Sequence, residues 1–294
     1  MRNRLFLFSI LLCLLLCAVP ALGAEQPTIL VVPGSTVLDL GSTQVSDWDA
    51  LKALIDQTPG LKEVHLYENE VPPEQMEALF TGYPDIFFGF TIRIAEHVIR
   101  TDQTAFSTLH NNRAPVHTSA DFAPLKYCTR LEALDLGHNA VTDIHFLEHL
   151  TDIKILIIAL NRVEDITPLR HLKKLQYAEL FRNQIRDISV LAELPELLDL
   201  NLCYNRIQDF TPLYGLQKLE RLWLYKAEGY GKSITFDKQK LQQLKAALPN
   251  TYIDAKTYST GGGWREHPRY FVLFDVFKDS VYQPFAPMEG PWKP

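Results

Sequence analysis

Only a few residue groups in this sequence have the types and spacing that chemistry requires. Gly231-Lys232-Ser233 lies after a strand-like segment and before a helical one, where a phosphate-binding loop would sit. Such a loop needs a glycine five residues before Gly231 so that the backbone can cradle phosphate, and Lys226 stands there. His145 and His149 are four apart, and His171 lies 22 beyond His149. That spacing would stack His149 and His171 about 5 Å apart on adjacent parallel segments. No Cys or carboxylate is placed to complete a four-ligand zinc shell, so exposed side chains on a return face explain these histidines better. Asp143, Asp165, Asp187 and Asp209 form a column of the kind calcium binds, but each is followed two residues on by His, Thr, Ser or Thr. Turn capping accounts for that pattern more simply. Cys128 shares a column with inward leucines, and Cys203 falls on an outward strand position with no histidine beside it. Nucleophilic catalysis therefore has no footing, and the sequence assigns no catalytic residue, metal site or cofactor.

What must position any functional side chain is a repeat. Leu131, Ile153, Leu175, Leu197 and Leu219 open five successive units at a shift of 22 residues. Leu134, Leu156, Ala178, Leu200 and Leu222 follow, then Leu136, Ile158, Leu180, Leu202 and Leu224, then Asn139, Asn161, Asn183 and Asn205. The L-x-x-L-x-L pattern predicts a short strand with alternate leucines inward. The Asn stands where the chain turns away, and its amide can satisfy backbone groups that the turn leaves unpaired. One unit cannot bury its own apolar face; stacked units share a continuous core.

With these residues in register, the chain resembles the leucine-rich-repeat family, in its 22-residue, internalin-like form. The resemblance implies an α/β solenoid with a parallel sheet on its concave face, helical or 3-10 return segments, and a C-terminal cap. The 22-residue array is assigned to 109–226, including a degenerate first unit in which Asn112 replaces a strand leucine. Residues 25–86 resemble two longer repeats, with strands at Val37-Leu38-Asp39-Leu40 and Leu61–Leu66 and helical patterns at Trp48-Leu51-Leu54 and Met76-Leu79-Phe80. Alternating Phe88, Phe90, Ile92 and Ile94 predict a β-hairpin interrupting the array over 87–108. A cap is expected over 227–254 and an aromatic-rich tail over 255–294. The chain is also similar to exported repeat proteins of Firmicutes, including the tail Gly263–Tyr270, a likeness that implies no activity.

The first 24 residues read as a secretory signal peptide: Arg2 and Arg4, an apolar run Leu5–Val19, then Pro20 and Ala21-Leu22-Gly23-Ala24. Its apolar core is short of the ~20 residues a bilayer span needs. With 29 Lys+Arg against 35 Asp+Glu, the net charge of −6 becomes −8 once Arg2 and Arg4 are removed. An acidic chain disfavours phosphate-driven nucleic-acid binding, and the expected location is secreted or at the extracellular surface.

Chemistry of recognition is carried instead by outward strand positions. Ile155, Ile157, Leu160, Tyr177, Glu179, Phe181, Arg182, Asp199, Tyr204, Arg221, Trp223 and Tyr225 would face solvent on the concave sheet. Large apolar and aromatic groups with arginines among them match the anchors of protein interfaces. The reading is a non-catalytic module for a protein ligand, with hot spots near Phe181 and Trp223; a glycan stacked on the aromatics is the alternative. A rival reading is internal. The tail after Gly261-Gly262-Gly263 holds Trp264, Tyr270, Phe271, Phe274, Phe277, Tyr282, Phe285 and Trp292, too aromatic to hang free. It would either pack on the last coil or fold back over the concave face.

Overall fold

A computed structural model of the chain describes residues 34–108, 116–225, 238–257 and 259–288. The first 24 residues, read above as a signal peptide, and Gly231-Lys232-Ser233 lie outside the described residues. The chain divides into two compact units, through Thr91 and from Ile92 onward.

The first unit has three parallel strands in sequence order: β1 (Val37–Asp39), β2 (Glu63–His65) and β3 (Phe87–Gly89). Their connections are α1 (Trp48–Asp56) and α2 (Pro73–Gly82). Asp47 caps α1, its carboxylate accepting from the amides of Asp49 and Ala50, and Leu51, Leu54 and Ile55 form the buried stripe. Proline at the start of α2 occupies a position whose amide has no helical partner to lose.

A hairpin of β4 (Thr91–Ile94) and β5 (His97–Arg100) turns through Ala95, whose φ is 51°. It is shorter than the span read from sequence. At one end of 87–108, β3 pairs with β2; at the other, β6 (Ala105–Ser107) opens the next sheet. Alternation reports that a segment is half-buried strand, not which strand it pairs with.

The second unit contains a seven-stranded parallel sheet in uninterrupted order from β6 through β7 (Ala133–Asp135), β8 (Ile155–Ile157), β9 (Tyr177–Glu179), β10 (Asp199–Asn201) and β11 (Arg221–Trp223) to β12 (Tyr252–Asp254). From β7 to β11 each residue pairs with the one 22 further on, as Leu134 with Leu156 and Leu200 with Leu222. A short helix α3 (Ser119–Phe122) runs into a 3-10 turn at Ala123–Tyr127. Further 3-10 turns follow at His145–His149, Thr167–His171, Ser189–Glu193 and Thr211–Leu213. The Asp column caps these turns: Asp143, Asp165, Asp187 and Asp209 accept from the amides of His145, Thr167, Ser189 and Thr211 at 2.8–2.9 Å. After β11 come α4 (Lys238–Ala247) and, beyond β12, α5 (Pro268–Asp279).

The asparagines form a ladder between coils. Asn183 accepts from the Val163 amide at 3.0 Å and donates to the Ile158 and Leu180 carbonyls at 2.9 and 3.0 Å. Asn161 and Asn205 repeat these contacts one coil to either side. Immediately before each Asn stands a residue in the left-handed region: His138, Leu160, Arg182 and Tyr204, with φ of 53–62°. Each such residue points its amide at the next coil, as Arg182 does to the Cys203 carbonyl at 2.9 Å. The fold is a leucine-rich-repeat solenoid.

Candidate functional site

The strand residues that point away from the leucine core are as buried as the core itself. Tyr177 and Trp223 are 0% exposed and Phe181 5%; Ile155, Glu179, Asp199 and Arg221 are buried with them. The expectation that all twelve candidate residues face solvent is therefore corrected. The cause is the chain's own C-terminal segment, residues 259–288, which lies over the concave sheet within the second unit. Of the two placements open for the tail, it takes the fold-back.

Three sets of contacts seat the segment. Trp264 is fully buried; its Nε1 donates to Glu179 Oε1 at 2.7 Å, and its ring meets Tyr177 and Trp223 at centroid distances of 5.5 and 5.1 Å. The Trp223 Nε1 donates to the Gly261 carbonyl at 3.0 Å, and Arg221 Nη1 to the Trp264 carbonyl at 3.0 Å. Asp199 accepts from Arg221 Nε at 2.7 Å and from Arg269 Nε and Nη2 at 2.6 and 3.0 Å, while Arg269 also reaches Glu220 at 2.6 Å. A carboxylate with no exposed surface is tolerable because two guanidiniums surround it. They hold Asp199 below the ordinary aspartate range against the opposing effect of burial. Farther along, Leu273 and Val276 of α5 pack into the concave cluster with Ala133, Ile155 and Ala159. The Tyr282 amide donates to Thr104 Oγ1 at 2.9 Å.

Sequence reasoning named the sheet half of this assembly but gave no role to Arg269 or His267. His267 sits at the N-cap of α5, its Nδ1 accepting from the Arg269 amide at 3.1 Å, which requires a neutral ring. Burial, and then Arg221 nearby, pull its pKa down to about 3. The available signal was Trp264-Arg265-Glu266-His267-Pro268-Arg269, two arginines following a glycine run toward a column that already held Asp199. Cys203 also needs correcting. Its thiol is fully buried beneath the Thr257 carbonyl, 3.8 Å away, and burial pushes its pKa up to about 12.

Part of the candidate surface is only half covered. Exposed Arg182 and half-buried Leu160, Tyr204 and Tyr225 form a ledge along one rim of the sheet, the first three of them, Arg182, Leu160 and Tyr204, on the left-handed positions before the Asn ladder. The Arg182 guanidinium lies 4.7 Å over the Tyr204 ring, and Tyr204 meets Tyr225 edge-on at 5.4 Å. Ile157 is partly covered, at the floor of a cleft between the sheet and α5. That cleft encloses about 450 Å³.

The histidines of the return face do not converge on a metal site. His145 Nδ1 lies 2.5 Å from Asp143, which raises the histidine's pKa chiefly by hydrogen bonding. Among the described residues no three His, Cys, Asp or Glu side chains group as metal ligands, and no helix is long and apolar enough to cross a membrane.

No family model and no curated protein matches the chain. Among solved structures it is similar to internalin C2 of Listeria monocytogenes, at 22% identity over 75% of this chain and 80% of that one, with a TM-score of 0.39. It is also similar to a second internalin of that organism, at 21% identity over 76% of this chain and 54% of that one, TM-score 0.39. A leucine-rich-repeat protein of Leptospira interrogans matches at 20% identity over 68% of this chain and 44% of that one, TM-score 0.42. The fold assignment itself stands on the 22-residue register and the Asn ladder.

Proposed function

We propose that the chain is an exported, non-catalytic protein-binding module whose partner surface is the half-open ledge around exposed Arg182. The observation that carries this is the row Leu160, Arg182, Tyr204 and Tyr225. A guanidinium stacked on tyrosine beside a second tyrosine gives rigid, amphipathic contact area at little ordering cost. The left-handed backbone beneath three of these residues is fixed by inter-coil hydrogen bonds, so the row is preformed. Export is supported by the order of charged, apolar and small residues over Met1–Ala24.

The remaining candidates, Ile155, Ile157, Tyr177, Glu179, Phe181, Asp199, Arg221 and Trp223, serve in this reading as the seat of the C-terminal segment. A second reading, a structural scaffold with its concave face closed by its own tail, is favoured by the full or partial burial of that set. Paired affinity capture with the full chain and with Arg182→Ser/Tyr225→Ala separates the two. Proteins retained by the parent and lost with this variant support the ledge; identical capture overturns it and leaves the scaffold.

A further inference from the structure

The cleft between α5 and the sheet has a floor of two buried carboxylates that no wall residue meets in an ion pair among the described residues, although the charge of Arg265 is felt at Glu179. Asp135 and Glu179 are 4% and 5% exposed, and both line it. Asp135 accepts from the Ser107 hydroxyl at 3.1 Å and the Gly137 amide at 2.9 Å; Glu179 accepts from the Trp264 indole and the Tyr177 hydroxyl. Every one of these donors is neutral, and among the described residues neither carboxylate forms an ion pair. Asp199, on the neighbouring strand, shows the contrast: it is equally buried and holds two guanidiniums. Burial accordingly pushes both Asp135 and Glu179 up to about 6. They ionise near neutral pH into a site where unpaired charge is costly.

The spacing and the walls narrow what would pair with them. Asp135 and Glu179 occupy the same position on β7 and β9, with Ile157 of β8 between them. Two strand spacings put their backbones about 9–10 Å apart. Above this floor the wall is aromatic: Phe181 from the sheet, Tyr270 and Phe277 from α5. The cations near the cleft, Arg265 and Lys278, stand exposed at its mouth. A cavity of this size suits a small molecule, and aromatic faces beside carboxylates suit an organic cation.

We propose that the cleft binds a small aliphatic amine, its ammonium held by Asp135 and Glu179 and its carbon skeleton against Ile157, Phe181, Tyr270 and Phe277. The site is independent of the ledge, which lies along the rim.

Isothermal titration of the full chain at neutral pH with 1,5-diaminopentane and with hexylamine tests this, with hexanoate, Mg²⁺ and Ca²⁺ as separate arms. The expected result is saturable one-to-one binding of at least one amine and none of hexanoate. Asp135→Asn and Glu179→Gln each keep side-chain shape and weaken binding roughly ten- to hundredfold, the range for a lost charged hydrogen bond. Lys278→Glu, at an exposed position, leaves the fold intact and tightens binding several-fold, so the outcome does not hang on the buried variants folding. No saturable amine binding, hexanoate binding as tightly as the amines, a divalent cation binding in their place, or affinities unmoved by all three variants overturns the proposal.

Discussion

Replacing Trp264 by alanine should unseat the C-terminal segment. The indole is wholly buried among Tyr177, Trp223 and the Arg221 guanidinium, which lies 4.5 Å over its ring. Truncating a buried Trp typically costs about 3–5 kcal/mol. The substitution also removes the donor to Glu179, a charge-assisted bond inside the protein, for about 1–3 kcal/mol more. The two losses share one site and overlap, so a total of about 4–6 kcal/mol is the working figure. That is comparable with the whole stability of many domains. Urea unfolding followed by far-ultraviolet circular dichroism reads it directly. With a slope of ~2–3 kcal/mol/M, the midpoint falls by about 2 M. Phe274→Ala is the matched control: an aromatic on the same segment, 61% exposed at the edge of the cleft, whose loss costs no more than about 1 kcal/mol. Hydrogen exchange adds a local readout, since amides of 259–288 should lose protection in Trp264→Ala before those of the leucine strands do. If the two variants unfold at the same urea concentration, the segment is not seated as described, and the burial of Trp223 and Tyr177 needs another cause.

Four further outcomes follow from the same geometry. Glu179 and Asp135 have folded pKa values near 6, raised from ordinary carboxylate values, so the folded state holds more protons than the unfolded chain between about pH 4 and 6. Their contribution to stability is present below that window and lost as pH rises through it; Glu179→Gln should gain about 1–2 kcal/mol on the parent between pH 4 and 7, and an unchanging difference would refute the assignment. His267 is held neutral with its pKa near 3, so its contribution runs the other way, present above the unfolded histidine value of about 6.5 and lost on acidification; His267→Asn should flatten the acid limb of the stability curve. Asn183→Ala strips three hydrogen bonds, two to the preceding coil and one within its own, and leaves buried backbone groups unmatched, for about 2–4 kcal/mol by urea unfolding. Cys128 and Cys203 are both buried with raised pKa values, so a thiol reagent should label neither until the chain unfolds; rapid native labelling of Cys203 would contradict its place under Thr257.

The solenoid was legible because its physics is periodic. A column such as Leu131 to Leu219 can be aligned with itself, and each Asn or Asp is explained by a bond its own turn requires. The concave face was only half legible. Periodicity says that Tyr177, Asp199 and Trp223 point away from the leucine core, and in a bare solenoid that direction is solvent. What fills the space beyond them is set by a segment tens of residues away with no repeat of its own. Asp199 and Arg269 are 70 positions apart, and no spacing rule connects them. The aromatic columns gave the same pattern that an intermolecular interface would, because the chemistry that anchors a partner also anchors a tail. The left-handed backbone under His138, Leu160, Arg182 and Tyr204 was hidden for another reason. None is glycine, and their conformation is imposed by amide bonds to the next coil rather than by residue type.

The central claim is that the concave sheet is closed by its own C-terminal segment. A double-mutant cycle between Asp199→Asn and Arg269→Gln, read by urea unfolding, tests it most directly. Two side chains in a buried, bidentate ion pair should show a coupling energy of about 1–3 kcal/mol. Strictly additive effects, with coupling near zero, would mean that Arg269 does not reach Asp199 and that the sheet is open.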